Sequence, residues 1–217
     1  RFGIKITYAK QAKPSGIAEA FKIGNKFIGT DSVMLILGDN IFYGIDFSLI
    51  KKITRNNNFG SIIFSYFVEN PERYGVIKYE NKKIIQIAEK PKKYISNLAV
   101  TGIYYFDNKV INYVKNIKPS KRKELEIIDI IKIYKNKNKL KLINLEKGSI
   151  WLDAGDSKSL LQASQLVQTI QDRQRLLIGS PEIAAMKMKN ISLKELSKII
   201  KNYPHSTYKS NLIDYIK

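Results

Sequence analysis

The sequence has 217 residues, 38 Lys plus Arg against 19 Asp plus Glu, a net charge of +19 and no cysteine. That length fits one large domain or a domain with an extension, and a hydrophobic content of 44% supplies a core. The missing cysteines exclude disulfides, thiolate metal sites and thiol nucleophiles, and the longest apolar runs fall far short of the roughly 20 residues of a membrane span. No charged-then-apolar leader opens the chain, so a cytoplasmic protein without a membrane partner is expected. The lysines are spread along the whole length, with no basic tail and no arginine-rich block, so a nucleic-acid partner is not expected. Lysines around a site would still favour anionic substrates.

The chain opens on Arg1 and runs into a strand-like Ile4 to Tyr8, as if entered partway through a domain. Gln11 to Gly16 is turn-rich. Ser15 is a candidate cap for a helix with Ile17, Ala20, Phe21 and Ile28 at helical spacing. Val33 to Leu37 is an unbroken apolar run, which predicts a central strand buried on both faces of a parallel sheet. It stops at Gly38, and Asp39 follows at once. In open α/β sheets ligands sit at the carboxyl ends of strands, so Asp39 is placed either to hold a hard cation such as Mg²⁺ or to cap the turn. Asp46 predicts the start of a short helix with Leu49, Ile50 and Ile53 on one face. Ser61 to Val68 reads as a second buried strand. The strand–helix alternation argues for a parallel sheet flanked by helices.

Pro71 and the Tyr74-Gly75 pair precede a predicted hairpin, Val76–Tyr79 and Ile84–Ile87, with its turn near Asn81. Leu98 to Phe106 is strand-like, and Gly102 within it marks a bulge or a close backbone approach. Asp107 is a candidate cap for a helix to Ile117. The charged segment Lys121–Glu126 leads into a helical pattern over Ile127–Tyr134 and a strand pattern over Leu140–Leu145. Ile150 to Gly155 repeats the theme of apolar residues followed by Asp and Gly. Ser157 is a candidate cap for the long helix that follows, and Ser192-x-x-Glu195 forms a capping box. The expected division is a core over 1–178 and a helical extension over 179–217.

Asp39 and Asp153, at two strand ends, are suited to share one Mg²⁺ with phosphate oxygens and water. Lys90 and Arg122, each beside a carboxylate in a polar loop, are suited to phosphate, though single charges of this kind are ordinarily solvated. Tyr74 and Trp151 read equally as packing residues. His205 stands alone with no matching acid or nucleophile and reads as structural.

Six motifs occur in order: Leu37–Gly44, Pro71–Val76, Glu89–Pro91, Ala99–Tyr104, Glu124–Ile127 and Trp151–Gly155. Together they resemble the glucose-1-phosphate thymidylyltransferases, sugar nucleotidyltransferases that make dTDP-glucose, across essentially the whole chain. The resemblance implies an α/β fold: a Rossmann-like nucleotidyltransferase core with a mixed, mainly parallel sheet, plus the C-terminal helical extension. It implies Mg²⁺, dTTP and glucose 1-phosphate, a homotetramer, and a product feeding cell-surface polysaccharide. By motif it places Asp39 and Asp153 on the metal and Gln11 and Gly16 on the thymine base. Tyr74, Gly75, Glu89, Val100 and Glu124 would line the sugar site, with Lys90 and Arg122 on the sugar phosphate. The family's opening strand and glycine-rich triphosphate loop have no counterpart in this sequence, so weak turnover by residues 1–217 alone is expected. The other reading is a non-catalytic nucleotide-sugar-binding remnant. Lys123 and Ala154 stand where the family has Gly and Thr, and Ala12-Lys13-Pro14-Ser15-Gly16 replaces its usual base-contacting loop. A side chain at position 123 is expected to shift Arg122.

Overall fold

The computed structural model describes residues 2–46, 50 and 59–217. Apart from Ile50, the helix expected after Asp46 lies outside the described residues. The chain forms two compact units, Ala9–Asp153 and Arg1–Tyr8 with Ala154–Lys217. The division expected at 178 falls inside the second of these.

In the first unit the strands are β1 (Val33–Ile36), β2 (Asn40–Tyr43), β3 (Ser61–Phe67), β4 (Gly75–Glu80), β5 (Lys83–Glu89), β6 (Leu98–Phe106), β7 (Leu140–Asn144) and β8 (Ile150–Asp153). The larger sheet has the order β5-β4-β6-β3-β7, with β1 beside β6; β2 and β8 form a separate ribbon. The α/β class and the mixed sheet are as expected. The sheet is not mainly parallel, however. Among the pairings of the described strands only β3 with β7 is parallel. The strand–helix alternation misled here because it carries no information on which strands become neighbours.

The apolar run at Val33 is not a two-faced central strand. β1 pairs only with β6 among the described strands, antiparallel, with Val33 opposite Phe106. Val33 and Leu35 pack on the core, whereas Met34 and Ile36 are 36% and 53% exposed. Continuous hydrophobicity shows that both faces tolerate burial, not that both are covered. Ile4 to Tyr8 likewise forms no strand and is exposed, because a strand exists only where a neighbour accepts its ladder of hydrogen bonds.

Other elements follow their sequence signals. The hairpin β4–β5 turns at Asn81 and Lys82, both with positive φ (49° and 60°), as a two-residue hairpin loop requires. Helix α1 (Glu19–Ile23) and the single turn α2 (Asn25–Ile28) bury Phe21 and Ile28; Ala18 precedes α1, so Ser15 is not its cap. Helix α3 (Val110–Asn116) follows Asp107, whose Oδ1 accepts from the Lys109 N–H at 3.2 Å. Helix α4 (Ile127–Asn136) buries Ile127, Ile128, Ile130, Ile131 and Tyr134, the i, i+3, i+4, i+7 stripe its sequence announces. These side chains form one core with Phe21, Ile63, Ile77, Tyr104 and Phe106.

The second unit is helical: α5 (Ser157–Gln174), α6 (Pro181–Lys187), α7 (Leu193–Lys201) and α8 (Thr207–Ile216). Asp156, not Ser157, caps α5, accepting from the Ser159 N–H at 2.8 Å. The capping box at Ser192 and Glu195 forms as the sequence predicts. Among the described residues no helix is long and apolar enough to cross a membrane.

Leu196, Ile200 and Leu212 make the core of this unit, and one buried carboxylate staples it. Glu182, 3% exposed, accepts from Tyr203 Oη, from Tyr208 Oη at 2.5 Å and from Ser180 Oγ at 3.0 Å. Burial pushes its pKa up, but these hydrogen bonds outweigh burial and hold it below the ordinary value of 4.5. A depressed carboxylate contributes stability above its unfolded pKa and loses it as pH falls through the folded pKa. Glu182→Gln is therefore expected to destabilise the protein by about 2 kcal/mol near neutrality and by progressively less below pH ~4, read by urea denaturation at several pH values.

Candidate active site

The chain leaves β1 through a tight turn. The Leu37 N–H donates to Gly102 O at 2.9 Å, and the Asn40 N–H donates to Leu37 O at 3.2 Å. Asp39 sits in this turn, where the chain crosses from the large sheet to the β2–β8 ribbon. In that ribbon Asn40 lies directly opposite Asp153. Two carboxylates 114 positions apart in numbering (39 and 153) are thus brought to the same cavity wall by one ladder pair. Buried Tyr104 registers both: its hydroxyl pKa is pushed well up, first by burial, then by Glu89, Asp39 and Asp153.

The Asn40 side chain fixes this corner. Its Oδ1 accepts from the Gly102 N–H at 3.0 Å and from the Trp151 indole N–H at 2.7 Å; its Nδ2 donates to Asp39 Oδ1 at 2.8 Å. Gly102 permits the approach, because a Cβ there would lie 2.3 Å from Asn40 Oδ1. The strand glycine marks a close approach, and it also falls where the β3–β6 register shifts, between the pairs Ile63–Tyr104 and Ser65–Val100.

The hairpin supplies the next wall. Gly75 is paired with Glu89, and the Lys90 N–H donates to Tyr74 O at 2.9 Å, so the two motif ends of β4 and β5 meet. Tyr74 packs against Trp151 with ring centroids 5.1 Å apart. The third wall is the 120–126 segment. Lys123 adopts φ 63°, in the left-handed region where glycine is least strained. Arg122 still faces the cavity. Its guanidinium donates to Glu126 through Nε at 3.2 Å and Nη2 at 2.9 Å, to Glu124 at 2.9 Å, and lies 3.6 Å from Glu89.

The resulting cavity has a volume of about 260 Å³. Of the residues expected at a site, Asp39, Asp153, Lys90, Arg122, Tyr74, Gly75, Glu89, Val100 and Glu124 line it. Gln11 and Gly16 do not line it but sit at its edge beside Ile17, which does. Gln11 Nε2 donates to Gly16 O at 3.2 Å and to Glu19 Oε2 at 2.6 Å. A Cβ on Gly16 would lie 2.5 Å from the backbone of Leu125, so glycine lets the 11–18 loop lie against the segment carrying Glu124. Sequence reasoning gave no role to Asn40, Arg73, Tyr104 or Glu126, which also line the cavity. All four stood inside quoted motifs, but nothing in their spacing showed which way they would face.

The cavity carries five carboxylates (Asp39, Glu89, Glu124, Glu126, Asp153) against three cations (Arg73, Lys90, Arg122). It is locally acidic in a chain of net charge +19. Among the described residues no group of three or more His, Cys, Asp or Glu is placed to hold a metal ion. Asp39 and Asp153 offer a two-carboxylate set, the chemistry that suits Mg²⁺ when a substrate's phosphate oxygens and water complete the shell.

The nucleotidyl transferase family model matches residues 1–170 of this mixed α/β chain, which places its cavity of acidic and cationic groups in a nucleotidyltransferase. The glucose-1-phosphate thymidylyltransferase of Neisseria meningitidis serogroup A is 41% identical over 217 residues, 100% of this chain and 75% of that protein. That of Mycolicibacterium smegmatis is 40% identical over 216 residues, 99% of this chain and 75% of its own. A crystal structure assigned as the same enzyme from Bacillus anthracis, in complex with sucrose, superposes with a TM-score of 0.73 at 39% identity, covering 83% of this chain and 70% of that one. A UDP-glucose pyrophosphorylase complexed with UDP-glucose shares the fold, with a TM-score of 0.65 at 24% identity over 75% of this chain and 66% of that one. The chain belongs to the glucose-1-phosphate thymidylyltransferase family.

Two outcomes test the site's physics. Asn40→Ala leaves the Gly102 and Trp151 N–H groups without their acceptor, and is expected to destabilise by about 2–4 kcal/mol in denaturant titration. Glu89 has its pKa raised by burial first and by Glu126 next, against the opposing pull of Arg122 and Lys90. A carboxyl raised on folding favours the fold below its unfolded pKa and loses that contribution as pH rises through the folded one. Glu89→Gln is expected to raise the melting temperature at pH 7 by a few degrees and to leave it unchanged near pH 4, measured by calorimetry.

Proposed function

We propose that the protein catalyses Mg²⁺-dependent transfer of a thymidylyl group from dTTP to glucose 1-phosphate, giving dTDP-glucose and pyrophosphate. The observation that carries this reading is the convergence of Asp39 and Asp153 with Lys90, Arg122, Glu89 and Glu124 around one cavity, in a chain of this family.

A phosphate oxygen of glucose 1-phosphate attacks the α-phosphorus of dTTP. A new P–O bond forms, the bond between the α-phosphorus and its bridging oxygen breaks, and pyrophosphate leaves with the electron pair. No protein nucleophile is needed. Catalysis of this kind rests on alignment and charge stabilisation. Glu89 and Glu124 accept hydrogen bonds from sugar hydroxyls, and the Tyr74 and Trp151 rings give the sugar an apolar wall. Lys90 holds the sugar phosphate as a point charge. Arg122 presents a guanidinium whose orientation Glu126 fixes from behind. Gln11 and Gly16 are assigned to the base. Asp39 and Asp153 hold Mg²⁺, which when bound supplies charge screening on the phosphates. The acidic balance of the cavity supports this reading, because an anionic ligand entering it needs an added cation.

The test is calorimetric titration with dTDP-glucose with and without Mg²⁺. Saturable binding strengthened by Mg²⁺ is expected, and Asp39→Asn and Asp153→Asn are each expected to remove that strengthening, by about tenfold or more. Absence of binding, or equal binding of UDP-glucose, would overturn the substrate assignment.

A further inference from the structure

A second and larger concavity lies in the same unit, away from the residues above. It has a volume of about 700 Å³ and is walled by the tip of the β4–β5 hairpin, the C-terminal end of α4 and the start of β7. Its chemistry is the reverse of the first cavity's. Lys82, Lys83, Lys135 and Lys141 line it, and no described lining residue is acidic.

On the same elements, lysines that face elsewhere are neutralised: Lys78 pairs with Glu80 at 3.2 Å and Lys132 with Asp129 at 3.2 Å. Among the described residues none of the four cavity lysines forms an ion pair. Lys135 Nζ donates to the Ile85 carbonyl at 3.1 Å, and Lys141 Nζ lies 5.5 Å from the Phe59 ring centroid. Both ammonium groups are thus held in place without losing their charge. The C-terminal end of α4 would ordinarily repel an anion. Here three of its last four carbonyls are occupied, with N–H groups of Lys137, Asn138 and Lys139 donating to Ile133 O, Lys135 O and Tyr134 O. Lys82 and Asn138, both lining residues, sit in the left-handed region at φ 60° and 55°, as the hairpin turn and the helix end require.

Four like charges around one concavity repel one another unless a counter-charge lies between them. We propose that this concavity is a second ligand site that binds a polyphosphate group, separate from the cavity of Asp39 and Asp153. Lys82, Lys83, Lys135 and Lys141 contact the phosphate oxygens. Where the polyphosphate is that of a nucleotide, the Phe59 ring offers the base a stacking face.

The experiment is calorimetric titration of the protein with inorganic triphosphate at fixed ionic strength, with the first cavity saturated by dTDP-glucose in a parallel arm. In a protein this basic, charge reversal anywhere weakens anion binding somewhat, so the control is a matched pair in the helical unit. Lys82→Glu with Lys141→Glu is expected to weaken triphosphate binding about tenfold or more, whereas Lys158→Glu with Lys194→Glu changes it less than about twofold. Lys82→Arg with Lys141→Arg is expected to retain binding. Circular dichroism and melting temperature check that each variant folds. Equal weakening by the two reversed pairs, no weakening by either, or loss of the site when dTDP-glucose is present would each overturn the proposal. Adenosine triphosphate in place of triphosphate separates the two sources of the ligand. Tighter binding that Phe59→Ala abolishes identifies a nucleotide; equal binding identifies an inorganic polyphosphate.

Discussion

The site depends on the carboxamide of Asn40. This one side chain ties a turn, a strand backbone and an indole ring together, through Asp39, Gly102 and Trp151. Those three belong to the turn after β1, the large sheet's longest strand and the separate ribbon. Without a polar group at that junction, two N–H donors would be shut away from water with no acceptor, which a fold avoids. The absence of a side chain on Gly102 and the presence of one on Asn40 are complementary parts of one contact. Placing the carboxylates of Asp39 and Asp153 therefore follows from satisfying a backbone donor, and the chemistry is built on a folding requirement.

The distribution of charge carries a similar lesson. A net charge of +19 suggests at first sight a surface made for polyanions. The first cavity nevertheless gathers more carboxylates than cations, and Arg122 is held by Glu126, Glu124 and Glu89. Such a guanidinium is oriented rather than loose, which suits recognition more than attraction. Four lysines with no described ion pair line another concavity altogether. Net charge describes the medium in which the protein moves, whereas the local arrangement describes what it binds.

Much of the secondary structure was legible because short-range physics fixes it. The stripe of Ile127, Ile128, Ile130, Ile131 and Tyr134 needs only the helix period, and the Ser192–Glu195 box needs only four residues. The Asn81-Lys82 turn is equally local. Failures came where a neighbour decides the outcome. The run from Val33 is hydrophobic throughout, yet Met34 and Ile36 are exposed, since only one face meets the core. The Ile4–Tyr8 segment has a strand's composition but no partner among the described strands. Cap assignments missed by a residue or more: no side chain caps the helix after Ala18, and at the long helix Asp156 takes the donor in place of the neighbouring Ser157.

The sequence by itself determined the family to which its six ordered motifs belong, since motif order survives without any knowledge of space, and it named nine of the residues that line the cavity. It also determined the helices whose apolar stripes are self-announcing. Only the tertiary structure decided that the sheet is largely antiparallel and that Asn40 faces Asp153 across a ribbon. It alone set Gln11 and Gly16 at the cavity's edge rather than within its lining. The reason is physical: strand pairing and cavity walls are made by residues tens of positions apart, and their free energy depends on partners that no local window of sequence contains.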